Sequence, residues 1–297
     1  MYDKYFGFKD LPFRIIPEPR YFYSTPSYQN AYTRLRLAIR ARSGFIVLTG
    51  EAGIGKSTLL KVFMGRAEAD VHAAFIFNPN LTISELLRFV LKDFGIAVST
   101  DDKFILMDKL HAYLIQQFEN DHFATLLIDE AQTASDRLLE ELRLLSNFET
   151  DTAKLIQIVL IGQPDLVRTL DRPELRQLKQ RITVRLSLAP LRLDEIPKYI
   201  DFRLKMAGCD DKGMFDRKAV HRIFRYSRGV PRLINNICDN ALLLAFTVSE
   251  SKVSSAMIDQ VARDLQLTAP AHLFGVAPFI AYRSWLGGVN FKPKSSV

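Results

Sequence analysis

Residues 45–58 read Phe45-Ile46-Val47-Leu48-Thr49-Gly50-Glu51-Ala52-Gly53-Ile54-Gly55-Lys56-Ser57-Thr58. The segment before Gly50 is apolar or β-branched, which predicts a buried β-strand. The residues from Gly50 to Ser57 match the pattern G-x-x-x-x-G-K-[ST], in which a glycine-rich turn between a strand and a helix surrounds nucleotide phosphates. We therefore predict a P-loop at this position.

The chemistry of phosphate binding accounts for these residue types. The turn must aim several backbone N–H groups at the phosphates, and side chains at the three glycines would obstruct that approach. Lys56 supplies positive charge for the β- and γ-phosphates, and Ser57 supplies a hydroxyl ligand for Mg²⁺. The helix predicted to begin near Lys56 adds its positive N-terminal end. The predicted nucleotide-binding residues are Gly50, Glu51, Ala52, Gly53, Ile54, Gly55, Lys56, Ser57 and Thr58.

A second informative stretch ends in two carboxylates. It reads Thr125-Leu126-Leu127-Ile128-Asp129-Glu130, an apolar strand whose acidic end lies at the edge where doubly wound sheets bind ligands. Asp129 is suited to hold Mg²⁺ through its water shell, and Glu130 can orient and deprotonate the water that attacks the γ-phosphorus. Because small-molecule kinases do not need to activate water, this pair favours an NTPase.

The next apolar strand, at residues 155–161, is followed by Gly162-Gln163-Pro164. An amide placed next to Asp129 and Glu130 could hold the attacking water against the γ-phosphate. Alternatively, Gln163 only caps the turn before Pro164. The spacing alone leaves both interpretations open.

Residues 168–192 are rich in arginine and lysine. The stretch could be a positively charged surface that binds nucleic acid, a set of arginines that contact a neighbouring subunit's nucleotide, or an ordinary solvated face. Arg181 immediately precedes the alternation Ile182, Val184, Leu186, which predicts a fifth strand. Its place at the entrance of that strand suits an arginine that reaches outward, and Arg176 is the alternative.

The N-terminal residues 1–26 combine many aromatic side chains with prolines. Proline disfavours a regular helix or a central strand, so the pattern predicts an extended arm laid over a domain surface. The aromatic side chains could close over an adenine base, or they could only pack. Ser27 is predicted to be the N-cap of the amphipathic helix that follows.

The strand pattern ends at Pro190. Residues 194–206, 216–227, 231–248 and 254–265 carry helical periodicity, which predicts a compact all-α domain over residues 190–268 after a core at 27–189. Arg232 lies in the first turn of the third of these helices, where an arginine opposes the helix dipole, and this indicates that it faces an anion. Residues 269–297 are predicted to be an irregular tail without an assigned function.

Composition fits a globular protein in a reducing compartment. The chain has 297 residues, a net charge of +7 and two cysteines, Cys209 and Cys238, which are too few for a disulfide framework. The positive charge would suit an anionic partner such as nucleic acid or a phospholipid surface. No apolar run approaches the length of a membrane span, and the N-terminus does not have the pattern of a signal peptide. We expect a cytoplasmic protein without a transmembrane segment.

Taken together, these motifs resemble those of the AAA+ ATPases over roughly residues 1–268. Gly50 to Ser57 correspond to Walker A and Leu126 to Glu130 to Walker B. More narrowly, Tyr5-Phe6-Gly7-Phe8, Pro17-Glu18-Pro19-Arg20, Ile161-Gly162-Gln163-Pro164 and Gln180-Arg181-Ile182 are similar to the ExeA/GspA and MshM-type ATPases of secretion and pilus assembly. The likeness extends more distantly to the TniB/TnsC transposition ATPases.

The resemblance implies a five-stranded parallel αβα core followed by a small all-α lid, with ATP and Mg²⁺ as ligands. It implies a sensor-1 role for Gln163, an arginine finger at Arg181 with Arg176 as the alternative, and a sensor-2 role for Arg232. It also implies self-association into an AAA+ oligomer and a protein partner in a secretion or pilus machine. An ATP-dependent DNA-binding regulator of a mobile element is the alternative.

Overall fold

The computed structural model describes residues 2–14, 18–66, 69–209 and 213–268. The predicted tail at 269–297 lies outside these residues. The strands are β1 (Phe45–Thr49), β2 (Val71–Ile76), β3 (Phe123–Ile128), β4 (Ile156–Gly162) and β5 (Ile182–Ser187). The α-helices are α1 (Tyr2–Tyr5), α2 (Pro26–Arg40), α3 (Lys56–Gly65), α4 (Ile83–Asp93), α5 (Lys103–Glu119), α6 (Asp136–Leu145), α7 (Asp165–Leu170), α8 (Arg176–Arg181), α9 (Ile196–Met206), α10 (Arg217–Ser227), α11 (Pro231–Thr247) and α12 (Ser255–Asp264). None of these helices has the length and hydrophobicity that a membrane crossing requires.

All five strands form one parallel sheet in the order β2-β3-β4-β1-β5. Every residue of β1, β3 and β4 is buried, as expected for central strands covered on both faces. Because β4 lies between β1 and β3, the loops that follow these three strands stand side by side at the carboxyl edge. The predicted five-stranded parallel core is confirmed, and this edge is where the P-loop and the two carboxylates meet.

Helices cover both faces of the sheet. Leu86 of α4, Leu110 of α5 and Leu138 of α6 belong to the core on one face. Leu35 of α2 and Leu60 of α3 belong to the core on the other face. The arrangement is the three-layer αβα sandwich that the alternation of strands and helices predicts.

The helices α9 to α12 pack into a separate core. Ile200, Ile223, Ile237 and Ile258, one from each helix, are buried together there. The all-α character predicted for this part of the chain is confirmed, whereas the exact domain limits at residues 190 and 268 stay predictions.

The N-terminal segment differs from the predicted extended arm. It begins with the short helix α1, which can form because the first proline of the chain is Pro12. Tyr2, Phe8 and Phe13 are buried in the same core as α9 to α12. The segment is therefore an integral part of the helical region rather than a strap on its surface.

Arg203 of α9 holds this segment in place. Its Nε donates a hydrogen bond to the carbonyl of Pro12 at 2.6 Å, and its Nη2 donates to the carbonyl of Arg14 at 3.3 Å. The guanidinium carbon lies 4.7 Å from the ring centre of Tyr21, a cation–π distance. A buried arginine thus donates hydrogen bonds to backbone carbonyls of a segment that has little secondary structure of its own.

The predicted N-cap of α2 at Ser27 is wrong. The hydroxyl of Thr25 accepts from the backbone N–H of Tyr28 at 3.3 Å, and the helix begins at Pro26. Proline suits the first helical position because the missing N–H would have no partner there. Ser27 Oγ instead accepts from the backbone N–H of Ala189.

Candidate functional site

The loop between β1 and α3 turns tightly at two glycines. Gly53 has φ +74° and Gly55 has φ +105°, a region that other residues rarely adopt. A Cβ on Gly55 would also lie 2.5 Å from the hydroxyl oxygen of Tyr28. Gly55 is the N-cap residue of α3, so the unpaired N–H groups of the first helical turn face the loop. The result is an anion-binding turn at a helix N-terminus.

Lys56 lies inside this loop and is buried. Its Nζ donates to the carbonyl of Gly50 at 2.8 Å and to the carbonyl of Glu51 at 3.2 Å. Burial lowers the pKa of Lys56, and the nearby charges of Glu130, Asp129 and Glu51 act in the opposite direction. These carboxylates thus offset only part of the effect of burial on the ammonium group.

Ser57 and Asp129 meet beside the loop. Ser57 Oγ donates to Asp129 Oδ2 at 2.7 Å, and the Asp129 carboxylate is buried at the end of β3. A hydroxyl and a carboxylate are the hard oxygen ligands that Mg²⁺ accepts, usually with several waters. The residues present therefore fit the predicted magnesium site.

Glu130 follows Asp129 in an unusual backbone conformation. Its φ is +50° and its ψ is 35°, in the left-handed region that few non-glycine residues occupy. Its Oε2 accepts from Nε2 of Gln163, the first residue after β4, at 3.4 Å. The structure thus brings together the two side chains that the sequence analysis placed at the ends of neighbouring strands.

Gln132 belongs to the same site, although no sequence motif predicted it. Its side-chain amide donates to the same Glu130 oxygen, and its Oε1 accepts from the backbone N–H of Gln163 at 3.0 Å. Both hydrogen bonds of Gln132 depend on the turn that the backbone makes at Glu130. The only sequence signal for them is the run Asp-Glu-Ala-Gln at residues 129–132.

A cleft of about 540 Å³ opens next to these groups. Its volume lies within the range of small-molecule sites. The predicted loop residues that line it are Ala52, Gly53, Gly55, Lys56, Ser57 and Thr58, together with Glu130, Gln163 and Arg232. Gly50, Glu51 and Ile54 do not line it; the Ile54 side chain is fully buried beneath the loop.

Aromatic side chains also line the cleft. Tyr21, Phe22 and Tyr23 of the N-terminal segment line it, with Tyr28 of α2 and Tyr199 of α9. Tyr199 donates its hydroxyl hydrogen to Asn235 Oδ1 at 2.8 Å, which leaves the ring as an apolar wall. Some N-terminal aromatic side chains thus pack in the helical core and others line the cleft, whereas contact with an adenine base stays a prediction.

Arg232 enters the cleft from the helical region. It is the second residue of α11, and its backbone N–H donates to the carbonyl of Gly53 at 3.2 Å. A Cβ on Gly53 would lie 2.6 Å from the Cβ of Arg232. Glycine at position 53 therefore allows the helical region to touch the P-loop directly.

Arg181 does not reach outward as expected. Its Nη1 donates to Ser146 Oγ at 2.8 Å and to Asn147 Oδ1 at 2.6 Å, and lies 3.4 Å from the carbonyl of Arg143. These acceptors lie at the C-terminal end of α6, where unpaired carbonyls and the helix dipole attract a cation. Arg176 is exposed, and its side chain forms no hydrogen bond or ion pair with the described residues. Neither arginine lines the cleft.

The basic stretch at residues 168–192 is largely paired with carboxylates. The ion pairs are Arg168–Asp165, Arg172–Asp136, Lys179–Asp171 and Arg192–Asp194. Such exposed pairs add little stability, but they interrupt the positive surface. The solvated-face interpretation therefore accounts for most of this stretch.

The sequence is similar to known proteins over most of its length. Residues 39–170 match the family model described as AAA domain. The chain is 39% identical to General secretion pathway protein A of Aeromonas hydrophila over 266 residues, which cover 89% of this chain and 48% of that protein. It thus spans about half the length of this relative.

Solved structures share the fold. The ORC2 protein of Aeropyrum pernix, in ADPNP and ADP complexes, superposes with a TM-score of 0.61 at 15% identity, covering 83% of this chain and 71% of that one. Cdc6p of Pyrobaculum aerophilum gives a TM-score of 0.59 at 16% identity, covering 94% and 73%. At these identities the likeness concerns the fold alone. The matched AAA domain and the secretion-protein relative identify the chain as a member of the AAA+ P-loop ATPase family.

Proposed function

We propose that the chain binds ATP and hydrolyses it to ADP and phosphate in a Mg²⁺-dependent reaction. The observation that carries this proposal is the convergence of four groups at the carboxyl edge of the sheet, three of which line the cleft while the fourth, Asp129, is hydrogen-bonded to Ser57. Lys56, Ser57, Asp129 and Glu130 come from two loops of the sheet edge, and Ser57 and Asp129 are 2.7 Å apart. Membership in a family of ATPases supports the same reaction.

The loop residues would bind the triphosphate. The Lys56 ammonium would exchange its two carbonyl acceptors for β- and γ-phosphate oxygens. Ser57 and Asp129 would hold Mg²⁺, which neutralises charge on the phosphates when it is bound. Arg232 would add a positive charge from the helical side of the cleft.

Glu130 would act on the attacking water. It would accept a proton as the water oxygen bonds to the γ-phosphorus, while the bond from that phosphorus to the β–γ bridging oxygen breaks and ADP leaves. The amide of Gln163 would hold the water in line. Both side chains line the cleft next to the P-loop.

The aromatic side chains that line the cleft would hold the base. Tyr21, Phe22 and Tyr23 offer rings for stacking, and Tyr28 lies against the loop beside Gly55. In this arrangement, residues 27–189 act as the nucleotide-binding core and residues 190–268 as a lid whose position reports the bound nucleotide.

We further propose that the protein acts as an oligomer in which a neighbouring subunit supplies an arginine to the γ-phosphate. An arginine added in this way is worth about 10³–10⁵ in rate. Arg181 would first have to leave its acceptors on α6, whereas Arg176 would not. Neither lines the cleft of its own chain, which agrees with a contribution to another subunit.

Phosphate release by purified protein tests the proposed activity. We expect Mg²⁺-dependent turnover with ATP that EDTA abolishes and that rises with protein concentration. Mg²⁺-dependent binding of ATPγS, measured by calorimetry, tests the site separately. Absence of both binding and turnover would contradict the proposal.

We propose that hydrolysis drives or regulates assembly of an envelope secretion or pilus complex. The 39% identity to General secretion pathway protein A supports this role. The test is whether inner-membrane components of such a system, added as purified proteins, change the turnover. If the complete set leaves turnover and nucleotide affinity unchanged, this role is excluded.

An ATP-dependent DNA-binding role is the second candidate, and one surface favours it. Four exposed cations project from α10 and its end, and none forms an ion pair with the described residues: Arg217, Lys218, Arg225 and Arg228. Binding to duplex DNA that requires ATP and weakens steeply with salt would favour this role. No binding at low salt would exclude it.

We propose the cytoplasm as the location, since ATP is available there and Cys209 and Cys238 would stay reduced. Both cysteines are free thiols in the structure. Fractionation of cells that express the full-length protein tests this proposal.

A further inference from the structure

Gln132 links the ends of two strands at the candidate site. We propose that it is a positioning residue, which holds the Glu130 carboxylate and the Gln163 amide together so that both act on one water. This inference rests on the proposed ATP hydrolysis and concerns a residue that the sequence analysis did not single out.

The link consists of three hydrogen bonds among Glu130, Gln132 and Gln163, two of which involve the Gln132 side chain. The Gln132 amide donates to Glu130 Oε2, and Gln132 Oε1 accepts from the backbone N–H of Gln163 at 3.0 Å. The side-chain amide of Gln163 donates to the same Glu130 oxygen at 3.4 Å. Glu130 Oε1 forms no hydrogen bond within the described part of the chain, so this oxygen remains for water.

The backbone at Glu130 explains why such a link is needed. The left-handed conformation at Glu130 turns the chain sharply after β3, and Thr133 Oγ1 secures the turn by donating to the Glu130 carbonyl at 2.8 Å. The turn does not fix the Glu130 side chain, whose torsions would otherwise be free. The hydrogen bond that the Gln132 amide donates to Glu130 Oε2 restricts these torsions before the nucleotide binds.

Gly162 provides independent support. A Cβ at this position would lie 2.5 Å from Gln132 Oε1 and 3.0 Å from Leu166 Cδ2. Gly162 does not have the positive φ that would by itself call for glycine. Gly162, the last residue of β4, thus lacks a side chain at the point where the Gln132 side chain reaches from the loop after β3 to the end of β4.

The test compares Gln132→Ala with wild type in turnover and in ATPγS affinity. We expect kcat to fall at least about tenfold, while KM and the Kd for Mg²⁺–ATPγS change less than about twofold. Gln132→Glu is the second variant; it keeps an acceptor for Gln163 but replaces the donor with a carboxylate that repels Glu130. We expect the same loss from it. Gln260→Ala, the same truncation at an exposed position of α12, should behave as wild type.

Gly162→Ala tests the same contact from the other strand. We expect it to lower kcat because its Cβ displaces the Gln132 amide. The combined Gln132→Ala/Gly162→Ala variant should then be no slower than the slower single variant, since effects on one contact do not add.

The outcomes separate this inference from the proposed function. Wild-type protein without turnover would overturn the proposed function and this inference with it. Wild-type turnover that is unchanged or faster in Gln132→Ala and Gln132→Glu would overturn the inference alone. So would a loss of ATPγS affinity in proportion to the loss of rate, because a positioning role leaves nucleotide binding intact.

Discussion

Lys56 is a buried ammonium ion whose acceptors are carbonyl oxygens of its own loop. Burial lowers its pKa, although Glu130, Asp129 and Glu51 oppose this effect. The charged form binds phosphate, so affinity for ATP should fall as pH rises through the lowered pKa. In the same window the unfolded chain binds more protons than the folded chain, so the free energy of unfolding due to this group rises with pH. As pH rises through this range, the affinity for ATP should therefore fall while the contribution of Lys56 to the free energy of unfolding rises.

Lys56→Met should abolish ATP binding while the fold persists. The variant removes a desolvated charge and keeps most of the apolar stem, so the melting temperature without nucleotide should change by no more than about 2–4 °C, which corresponds to ~1 kcal/mol. Calorimetry with ATPγS and a thermal melt measure the two effects. Lys61→Met, an exposed lysine of the same helix, is the control. Retained ATPγS affinity in Lys56→Met would refute the assignment.

Glu130→Gln should bind ATP but hydrolyse it slowly. The amide is nearly isosteric with the carboxylate but cannot accept the proton, and loss of a general base costs about 10²–10⁴ in rate. Single-turnover phosphate release and ATPγS affinity separate the two steps. Glu119→Gln, an exposed glutamate at the end of α5, should leave both unchanged. A variant with normal kcat would show that Glu130 is not the base.

At the scale of elements, the N-terminal segment joins the helical region to the cleft. Phe13 is fully buried among α9 to α12, and residues only a few positions later line the cleft. Arg203 donates hydrogen bonds to the carbonyls of Pro12 and Arg14, on either side of Phe13. Packing in the helical core thus helps to position the aromatic side chains that line the cleft.

Phe13→Ala should destabilise the helical region and weaken nucleotide binding. Truncation of a buried phenylalanine typically costs about 3–5 kcal/mol. Urea unfolding measures this loss, and ATPγS affinity should fall with it because the cleft residues lose their support. Phe104→Ala is a matched control because Phe104 is 80% exposed, and such surface changes stay within about 0.5 kcal/mol. Equal effects of the two substitutions would contradict the packing argument.

At the scale of the whole molecule, the proposed oligomer predicts that a neighbouring subunit supplies an arginine to the γ-phosphate. The cations of the chain that line its own cleft are Arg14, Lys56, Arg203 and Arg232, whereas Arg176 and Arg181 lie elsewhere. On this proposal, activity should depend on the contact between subunits.

Mixing two impaired variants tests this dependence. Glu130→Gln keeps its arginines, and Arg176→Ala or Arg181→Ala keeps its own Glu130. We expect each variant alone to be slow and the mixture to regain turnover if the arginine acts on a neighbour's nucleotide. Arg168→Ala, an exposed arginine of the same stretch, is the control. If neither arginine variant slows turnover, the arginine contribution is excluded, and if only one does, it identifies the finger.

Local patterns predicted much of this molecule. The P-loop, the acidic end of β3 and the alternation of strands and helices depend on contiguous residues whose spacing reflects backbone geometry, and the parallel core and helical region were confirmed. The sequence also put Gln163 and Glu130 at one edge of the sheet, because carboxyl ends of parallel strands share an edge, but their contact depends on the adjacency of β3 and β4. The catalytic roles of these residues stay predictions.

Tertiary structure alone decided the remaining features. These features join residues that are distant in sequence or depend on a single backbone turn. They are the position of β4 between β1 and β3, the insertion of Phe13 into the helical core, the anchoring of Arg181 on α6 and the hydrogen bonds of Gln132. Sequence periodicity records which face of an element is buried. It does not record which partner covers that face, because many partners offer similar apolar area and only the packed chain selects among them.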